Sequence, residues 1–152
     1  MRKFLSKKLY EWFGIATRAN GRKYWCRNDS AFGHREWYMS GKLHREGGPA
    51  VEWRSGYRAW YQHGKLHREN GPAVEWAGGD EEWYQHGKLH RENGPAMIWE
   101  GRKSWYQHGK LHREDGPAVE WEDGAKHWYL DGVRYIDEAA HRMAVFKLNQ
   151  DN

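Results

Sequence analysis

The sequence has few of the residues that usually cross-link a protein or fill its core. It holds one cysteine, four prolines and four phenylalanines among 152 residues. Because Cys26 is alone, no disulfide can form within the chain. No apolar run approaches the roughly 20 residues of a membrane-spanning helix, and the basic start of the chain lacks the apolar segment of a secretory signal. These absences predict a cytoplasmic protein.

Aromatic residues and glycine are abundant instead. There are 11 tryptophans, nine tyrosines and 18 glycines, and aromatic residues make up 16% of the chain. Disordered chains are poor in aromatic residues, so long disorder is not expected. We therefore expect a folded domain whose core is built largely from tryptophan and tyrosine.

The net charge of +4 is unevenly distributed. Residues 1–40 contain nine Lys and Arg residues against three acidic residues, an excess of +6, and the rest of the chain sums to −2. Nucleic-acid binding depends on basic side chains that contact phosphates. This distribution therefore argues against a nucleic-acid partner along the body of the protein.

A repeat of 22 or 23 residues fills the centre of the chain. The unit reads GKLHRExGPAVEWxxGxxxWYQH, and its Gly-Pro-Ala step accounts for all four prolines. The hexapeptide GKLHRE begins at Gly41, Gly64, Gly87 and Gly109. Nine of the 11 tryptophans fall into two columns, which are Trp53, Trp76, Trp99 and Trp121, and Trp37, Trp60, Trp83, Trp105 and Trp128. Such a period indicates a stacked array in which each unit contacts mainly its neighbours.

Each unit predicts two β-hairpins, because apolar residues alternate with polar ones and turn residues interrupt them. A two-residue turn at Ser55-Gly56 would place Val51 opposite Trp60. The third unit is one residue shorter, so we expect a three-residue turn, Glu100-Gly101-Arg102, that keeps Met97 opposite Trp105.

The second hairpin of each unit turns at His63-Gly64, which would place Tyr61 opposite Leu66 and Trp60 opposite His67. The alternation then predicts two sheet faces. One carries Val51, Trp53, Trp60 and His67, and the other carries Glu52, Tyr61, Leu66 and Arg68. We expect the Val and Trp face to be the more buried.

The predicted fold class is therefore all-β, an elongated antiparallel β-hairpin array with a short capping helix at each end. Residues 1–30 form a basic N-terminal cap, residues 31–135 the repeats and residues 136–152 the C-terminal capping helix. Asp137 is the expected N-cap of that last helix. The apolar positions that would cover the array are Leu5, Leu9, Trp12 and Phe13 at one end and Ala139, Ala140, Met143 and Phe146 at the other.

The Trp-Tyr pair before x-x-Gly-Lys, the following His, the x-Asp-Gly turn and the 23-residue period resemble MORN repeats. The likeness is greatest to the variant WYxNGKxHREDGPA arrays of tailed phages, giant viruses and bacteria, and it covers residues 31–135. It implies a non-catalytic hairpin array used for binding or scaffolding. Arg-Glu-x-Gly-Pro-Ala stands where MORN units have His-Gly-x-Gly, so the membrane roles of eukaryotic MORN proteins are not carried over.

Histidines are the residues that most suggest a metal site. They recur with H-x₃-H spacing at His63 and His67, His86 and His90, and His108 and His112. A hairpin turn separates the members of each pair, so we do not expect them to converge, and no Cys or carboxylate completes a zinc set. No nucleophile motif, phosphate-binding loop or unique carboxylate pair is present. The sequence predicts neither an enzyme nor a bound cofactor or metal.

One edge of the array is nearly constant and the other varies. Residues 62–69 recur intact at 85–92 and 107–114, whereas the turns after Val-Glu-Trp change in sequence and charge. A partner that recognises a unique surface would use the variable edge. The candidate contact residues are Arg54, Tyr57, Arg58, Asp80, Glu81, Glu82, Arg102 and Lys103, with the tyrosine row Tyr61, Tyr84 and Tyr106 as either an open surface or part of the core.

Three functions remain open. The favoured hypothesis is a protein-binding module, and the resemblance implies a phage protein that binds and inhibits a host protein, such as an antiviral defence factor, in the host cytoplasm. One alternative is a small-ligand or nucleotide binder with repeated Tyr and His pockets. The other is a structural or membrane-associated protein that uses its basic N-terminus. Membrane binding is the less favoured of these, and the oligomeric state is left open.

Overall fold

The computed structural model describes residues 18–19, 22–29 and 33–150. These residues form nineteen β-strands and one α-helix, which confirms the mostly β fold of antiparallel hairpins. The predicted N-terminal helix lies outside the described residues. Among the residues described, no helix is both long enough and apolar enough to span a bilayer.

The elements follow the repeat, with four strands in each of the first three units and three in the fourth. In chain order they are β1 (Arg18–Ala19), β2 (Arg22–Asp29), β3 (His34–Met39), β4 (Lys42–Leu43), β5 (Val51–Trp53), β6 (Arg58–Ala59), β7 (Tyr61–Gln62), β8 (Lys65–Leu66), β9 (Val74–Glu75), β10 (Glu81–Glu82), β11 (Tyr84–Gln85), β12 (Lys88–Leu89), β13 (Met97–Trp99), β14 (Arg102–Ser104), β15 (Tyr106–Gln107), β16 (Lys110–Leu111), β17 (Val119–Glu120), β18 (Lys126–Leu130), β19 (Val133–Tyr135) and α1 (Glu138–Leu148).

One sheet runs through the whole array. Its strand order is β1-β2-β3-β5-β6-β9-β10-β13-β14-β17-β18-β19, and β4 also pairs with β3. Three small hairpins stand apart from this sheet, namely β7–β8, β11–β12 and β15–β16. Strand β2 lies within the region assigned to the N-terminal cap, so the sheet begins before residue 31.

The first hairpin of each unit is shifted by one residue from the predicted register. Val51 lies opposite Ala59 and not opposite Trp60. In the other units the corresponding pairs are Val74 with Glu82, Met97 with Ser104 and Val119 with His127. In every unit, therefore, the residue before the tryptophan occupies the position predicted for the tryptophan.

The shift comes from the length of the turn. The first unit has a three-residue turn, because the amide of Trp53 donates to the carbonyl of Tyr57 at 2.9 Å. Gly56, the third turn residue, has φ of 93°, which is the glycine position of a type I turn followed by a bulge. The third unit instead has the two-residue turn Glu100-Gly101, with φ of 44° and 75°. The predicted turn lengths were wrong, but the shorter unit does keep the register of the others.

The second hairpin of each unit has the predicted register. Tyr61 lies opposite Leu66, and the amide of His67 donates to the carbonyl of Trp60 at 3.0 Å. His63 and Gly64 have φ of 51° and 81°, as a type I′ turn requires. This part of the prediction is confirmed.

The corrected register changes which side chains share a face, since a one-residue slip reverses every side chain. Val51, Trp53 and Tyr61 lie on one side of the chain, which we call the core face. Glu52 and Trp60 lie on the other side, the polar face. Trp60 was predicted to share a sheet face with Val51, and Tyr61 was predicted to lie on the opposite face. Both predictions were wrong.

Small residues fill the centre of the core face. The alanine of every Gly-Pro-Ala step is fully buried, and so is Ala59, with 0% of each residue exposed (Ala50, Ala73, Ala96 and Ala118). Val51, Val74 and Val119 are buried beside them. Half-buried aromatic and leucine side chains pack around one such cluster: Leu43, Tyr57, Tyr61, Leu66, Trp76 and Tyr84. The centre of the core is thus made of alanine and valine, and the aromatic residues surround it.

Backbone hydrogen bonds join the small hairpins of successive units. The amide of Gly64 donates to Leu43 and that of Gly87 to Leu66, each at 2.8 Å. The same 2.8 Å bond recurs at Gly109 with Leu89 and at Gly132 with Leu111. Each unit is therefore bonded to the next one along both the sheet and the hairpin edge, as in other repeat arrays.

The C-terminal helix begins where the sequence predicts. The Asp137 side chain accepts a hydrogen bond from the amide of Ala140 at 2.8 Å and caps α1. However, the helix buries His141, whose Nε2 lies 2.8 Å from the carbonyl oxygen of Arg113. Met143 and Phe146, which were predicted to cover the array, are 66% and 63% exposed. The helix packs through a different side from the one predicted.

Candidate interaction surface

The tryptophans beside the variable turns form a connected aromatic row on the core face. We call Trp53, Trp76, Trp99 and Trp121 the outer tryptophans. The ring of Tyr57 lies 4.7 Å from Trp53 and 5.7 Å from Trp76, and Trp76 lies 5.0 Å from Trp99, all measured between ring centroids. Trp53 is 50% exposed, and Trp99 and Trp121 are each 40% exposed. Trp53, Tyr57, Trp76 and Trp99 therefore form a row of contacting rings, and Trp121 occupies the next position of the column.

Charged residues of the variable turns lie next to this row. The Arg102 guanidinium lies 4.9 Å from the ring centre of Trp121, and its Nε donates to Ser104 at 2.9 Å. The Asp80 carboxylate accepts from the amide of Glu100 at 3.0 Å and so joins two successive turns. Burial raises the pKa of the Tyr57 hydroxyl, which stays neutral between the two tryptophans. The candidates Tyr57, Asp80 and Arg102 thus belong to one surface.

At the first variable turn, Arg54 and Arg58 line an open groove of about 440 Å³ with Arg35, Glu52, Trp53 and Gly33. Arg54 is exposed, and Arg58 is paired with Glu75 at 3.8 Å on the polar face. The candidates Glu81 and Lys103 also lie on the polar face, opposite Ile98 on its two sides. The structure therefore divides the candidates of the variable edge between two faces.

The tyrosine row belongs to the core face and not to an open surface apart from it. Tyr61 and Tyr84 pack against the cluster of Val51, Ala59 and Val74. Burial, followed by the charge of Glu82 and a hydrogen bond with it, raises the pKa of Tyr84. Burial likewise raises the pKa of the Glu82 carboxyl. Tyr106, at the same position of the next unit, is also half-buried.

The histidines form a ladder between units, which the sequence spacing did not show. The amide of His86 donates to Nδ1 of the buried His67 at 3.1 Å, and the two rings lie 4.5 Å apart. The same arrangement joins His44 with His63 and His90 with His108, with ring distances of 4.7 and 4.6 Å. Because Nδ1 accepts a hydrogen bond, it carries no proton and binds no metal. In the part of the chain that the structure describes, no group of three or more His, Cys, Asp or Glu side chains could hold a metal ion.

On the polar face of each unit an arginine packs over a tryptophan ring, an arrangement that we call the arginine clamp. It was not predicted from the sequence. The Arg68 guanidinium lies 3.7 Å from the ring centre of Trp60, and its Nη1 donates to the carbonyl of Pro72 at 2.9 Å and to Glu75 at 2.7 Å. A Cβ at position 71 would lie 3.0 Å from Cζ of Arg68, so Gly71 leaves room for the guanidinium. The Arg-x-x-Gly-Pro spacing after each Trp-Tyr pair was the available signal.

Comparison with known protein families, with curated proteins and with solved structures finds no match for this chain. The resemblance to MORN repeats therefore rests on the residues of the repeat unit itself.

Proposed function

We propose that this protein is a non-enzymatic scaffold that binds another protein through the outer tryptophans and the variable turns beside them. The observation that carries the proposal is the aromatic row, in which Trp53, Trp99 and Trp121 are 40–50% exposed. Contacts between the rings of Trp53, Tyr57, Trp76 and Trp99 hold most of the row in place. Tryptophan, tyrosine and arginine contribute most to the energy of protein interfaces. A row already held rigid loses little side-chain entropy on binding.

Specificity would come from the turns. Each unit presents the same ring positions but a different turn: Arg54-Ser55-Gly56, Ala77-Gly78-Gly79, Glu100-Gly101 and Glu122-Asp123-Gly124. A rigid scaffold with unlike loops is a common design for recognition. The resemblance to phage repeat arrays further suggests a host protein as the partner, such as an antiviral defence factor, and this step rests on analogy alone.

The small-ligand alternative is less well supported, because it requires free Tyr and His side chains. Tyr61 and Tyr84 pack in the core, and the buried histidines His67 and His90 each accept a backbone hydrogen bond. The membrane alternative depends on residues 1–13, which lie outside the described residues.

The proposal is tested by capturing a partner from host lysate, purifying it and measuring its affinity by calorimetry. Trp99→Ser and Arg102→Ala should each weaken binding about tenfold or more, as expected for central interface residues. Lys88→Ala, in the constant hairpin β11–β12, is the matched control and should leave affinity unchanged. Equal affinities for all the variants would refute the assigned surface.

A further inference from the structure

The polar face carries a row of arginine clamps that are closed by carboxylates. Arg45, Arg68 and Arg113 each lie over a tryptophan ring and donate through Nη1 to a glutamate seven residues later. The Nη1–Oε1 distances are 3.0 Å to Glu52, 2.7 Å to Glu75 and 2.9 Å to Glu120. In these three units the clamp therefore has its own acidic side chain.

The third unit lacks that carboxylate. Ile98 stands at the position of Glu75, while Arg91 keeps the rest of the clamp. Its guanidinium lies 3.9 Å from the ring centre of Trp83, and Nη1 donates to the carbonyl of Pro95 at 3.0 Å. Within residues 33–150, Arg91 makes no ion pair with any acidic side chain. The third unit thus positions an arginine as in the other clamps, but its own strand supplies no carboxylate to pair with it.

The guanidinium is held in the geometry that binds carboxylates elsewhere in the array. A Cβ at position 94 would lie 3.2 Å from Cζ of Arg91, so Gly94 contacts it closely. Because Trp83, Gly94 and the Pro95 carbonyl fix the side chain, little rotamer entropy is lost when a ligand binds. Hydrogen bonds between guanidinium and carboxylate are among the strongest that side chains make.

The charges around Arg91 indicate what kind of anion fits. Lys103 lies opposite Ile98 across the β13–β14 pair and makes no ion pair among the described residues. Glu81 lies opposite Ile98 on the other side, and Glu92 follows Arg91. These carboxylates would repel a phosphate dianion or a nucleic acid, whereas one carboxylate can be accommodated by Arg91 and Lys103. The half-buried Ile98 offers an apolar contact beside it.

We propose that Arg91 and Ile98 form a binding site for a single Glu or Asp side chain, flanked by an apolar residue, from a protein partner. The carboxylate takes the place that Glu75 occupies in the preceding unit. This site lies on the polar face, so it is separate from the outer tryptophans and does not depend on their proposed role.

The direct test uses a blocked tripeptide, acetyl-Leu-Glu-Leu-amide, and its Gln counterpart. NMR observes the arginine Nε–H signals of the full chain, and the Arg91 signal is assigned by its loss in Arg91→Lys. We expect a saturable shift of the Arg91 signal with the Glu peptide and none with the Gln peptide. The Arg68 signal, already paired with Glu75, should not shift. Equal shifts with both peptides would overturn the proposal.

Two variants at one position provide the matched control. Ile98→Glu supplies the carboxylate from the chain itself, as three other units do. It should weaken binding of the Glu peptide about tenfold or more. Ile98→Gln has nearly the same shape without the charge and should keep the binding. Circular dichroism verifies that both variants fold. If the Glu peptide binds Ile98→Glu as well as the unaltered chain, the site is not where we place it.

The outcome is distinguishable from that of the proposed protein-binding surface. Trp53→Ser alters the core face and should leave the peptide shift at Arg91 unchanged. A lost peptide shift in Trp53→Ser would contradict the separation of the two sites.

Discussion

The two tryptophan columns have the same period but different environments. We call Trp37, Trp60, Trp83 and Trp105 the inner tryptophans. Each of these rings lies under an arginine, at 3.7 to 4.0 Å from ring centre to Cζ, and each bonds its backbone to a Gly-Pro-Ala alanine. Among the outer tryptophans, Trp53, Trp76 and Trp99 contact other aromatic rings and Trp121 lies beside Arg102, and three of the four are 40–50% exposed. Equal spacing therefore does not imply an equal role, because the side chains around each ring decide whether it holds the fold or forms a surface.

The largest expected effect is the difference in stability loss between removing an inner tryptophan and removing an outer one. Trp60→Ala removes the platform of Arg68 and leaves that guanidinium without its stacking partner, so it should lower the free energy of unfolding by about 3 kcal/mol. Trp53→Ala removes a ring that is half exposed and should cost about 1 kcal/mol or less. Urea unfolding followed by circular dichroism measures both. A cost for Trp53→Ala that matches the cost for Trp60→Ala would remove the distinction between the columns.

The next effect concerns the histidine ladder beside the inner tryptophans. Burial, together with the neighbouring His86, lowers the pKa of His67 from its ordinary value of 6.5, and burial with His108 does the same for His90. The unfolded chain then binds more protons than the folded one, so stability is full above pH 6.5 and falls as the pH drops through the folded-state pKa values. Each protonated Nδ1 would also face an N–H donor, at a cost of about 1–3 kcal/mol.

Urea melts between pH 7.5 and pH 5 measure this dependence. His67→Asn retains a side-chain acceptor but does not titrate, so its stability should change less with pH than that of the unaltered chain. An unchanged slope in His67→Asn would assign the pH dependence to other groups.

The smallest expected effect compares an arginine clamp that is paired with a glutamate, as at Arg68, with the Arg91 clamp, whose own strand supplies no glutamate. Glu75→Gln removes the charge that faces Arg68, in a pair whose side chains are 29% and 26% exposed. Because solvent screens such pairs, the loss of stability should be about 1 kcal/mol or less. Arg91→Gln, in the unit without a carboxylate, should cost less than Arg68→Gln. Thermal melts of the two arginine variants compare them directly, and an equal loss would mean that the carboxylate adds nothing to the clamp.

Several features of the fold were predictable from local residue chemistry. Gly64 follows His63 at a step where only two residues separate the alternating strands, so the turn at this step and the pairing of Tyr61 with Leu66 were predicted correctly. Asp137 was identified as an N-cap for the same reason, since its side chain bonds within its own turn. Both signals act over a few residues and need no tertiary contact.

Sequence variation identified the turn residues as candidates but did not place them relative to the tryptophans. Asp80, Tyr57 and Arg102 lie beside the outer tryptophans. The tyrosines Tyr61 and Tyr84 lie in the core instead. Whether these tyrosines are buried depends on the register of the first hairpin in each unit. The x-x-Gly turns do not determine that register, because glycine fits both a two-residue turn and a three-residue turn with a bulge.

The sequence by itself determined the period, the hairpins, the positions of the turns and the C-terminal cap, because these depend on residues close together in the chain. Only the tertiary structure decided the register of the first hairpin, the face of each tryptophan column and the partners of the histidines and arginines. A hydrogen bond from Trp53 to Tyr57 selects the longer turn, and that one residue reverses the side chains beyond it. The arginine clamps then join residues seven positions apart across a Gly-Pro step, at distances that only the folded chain defines.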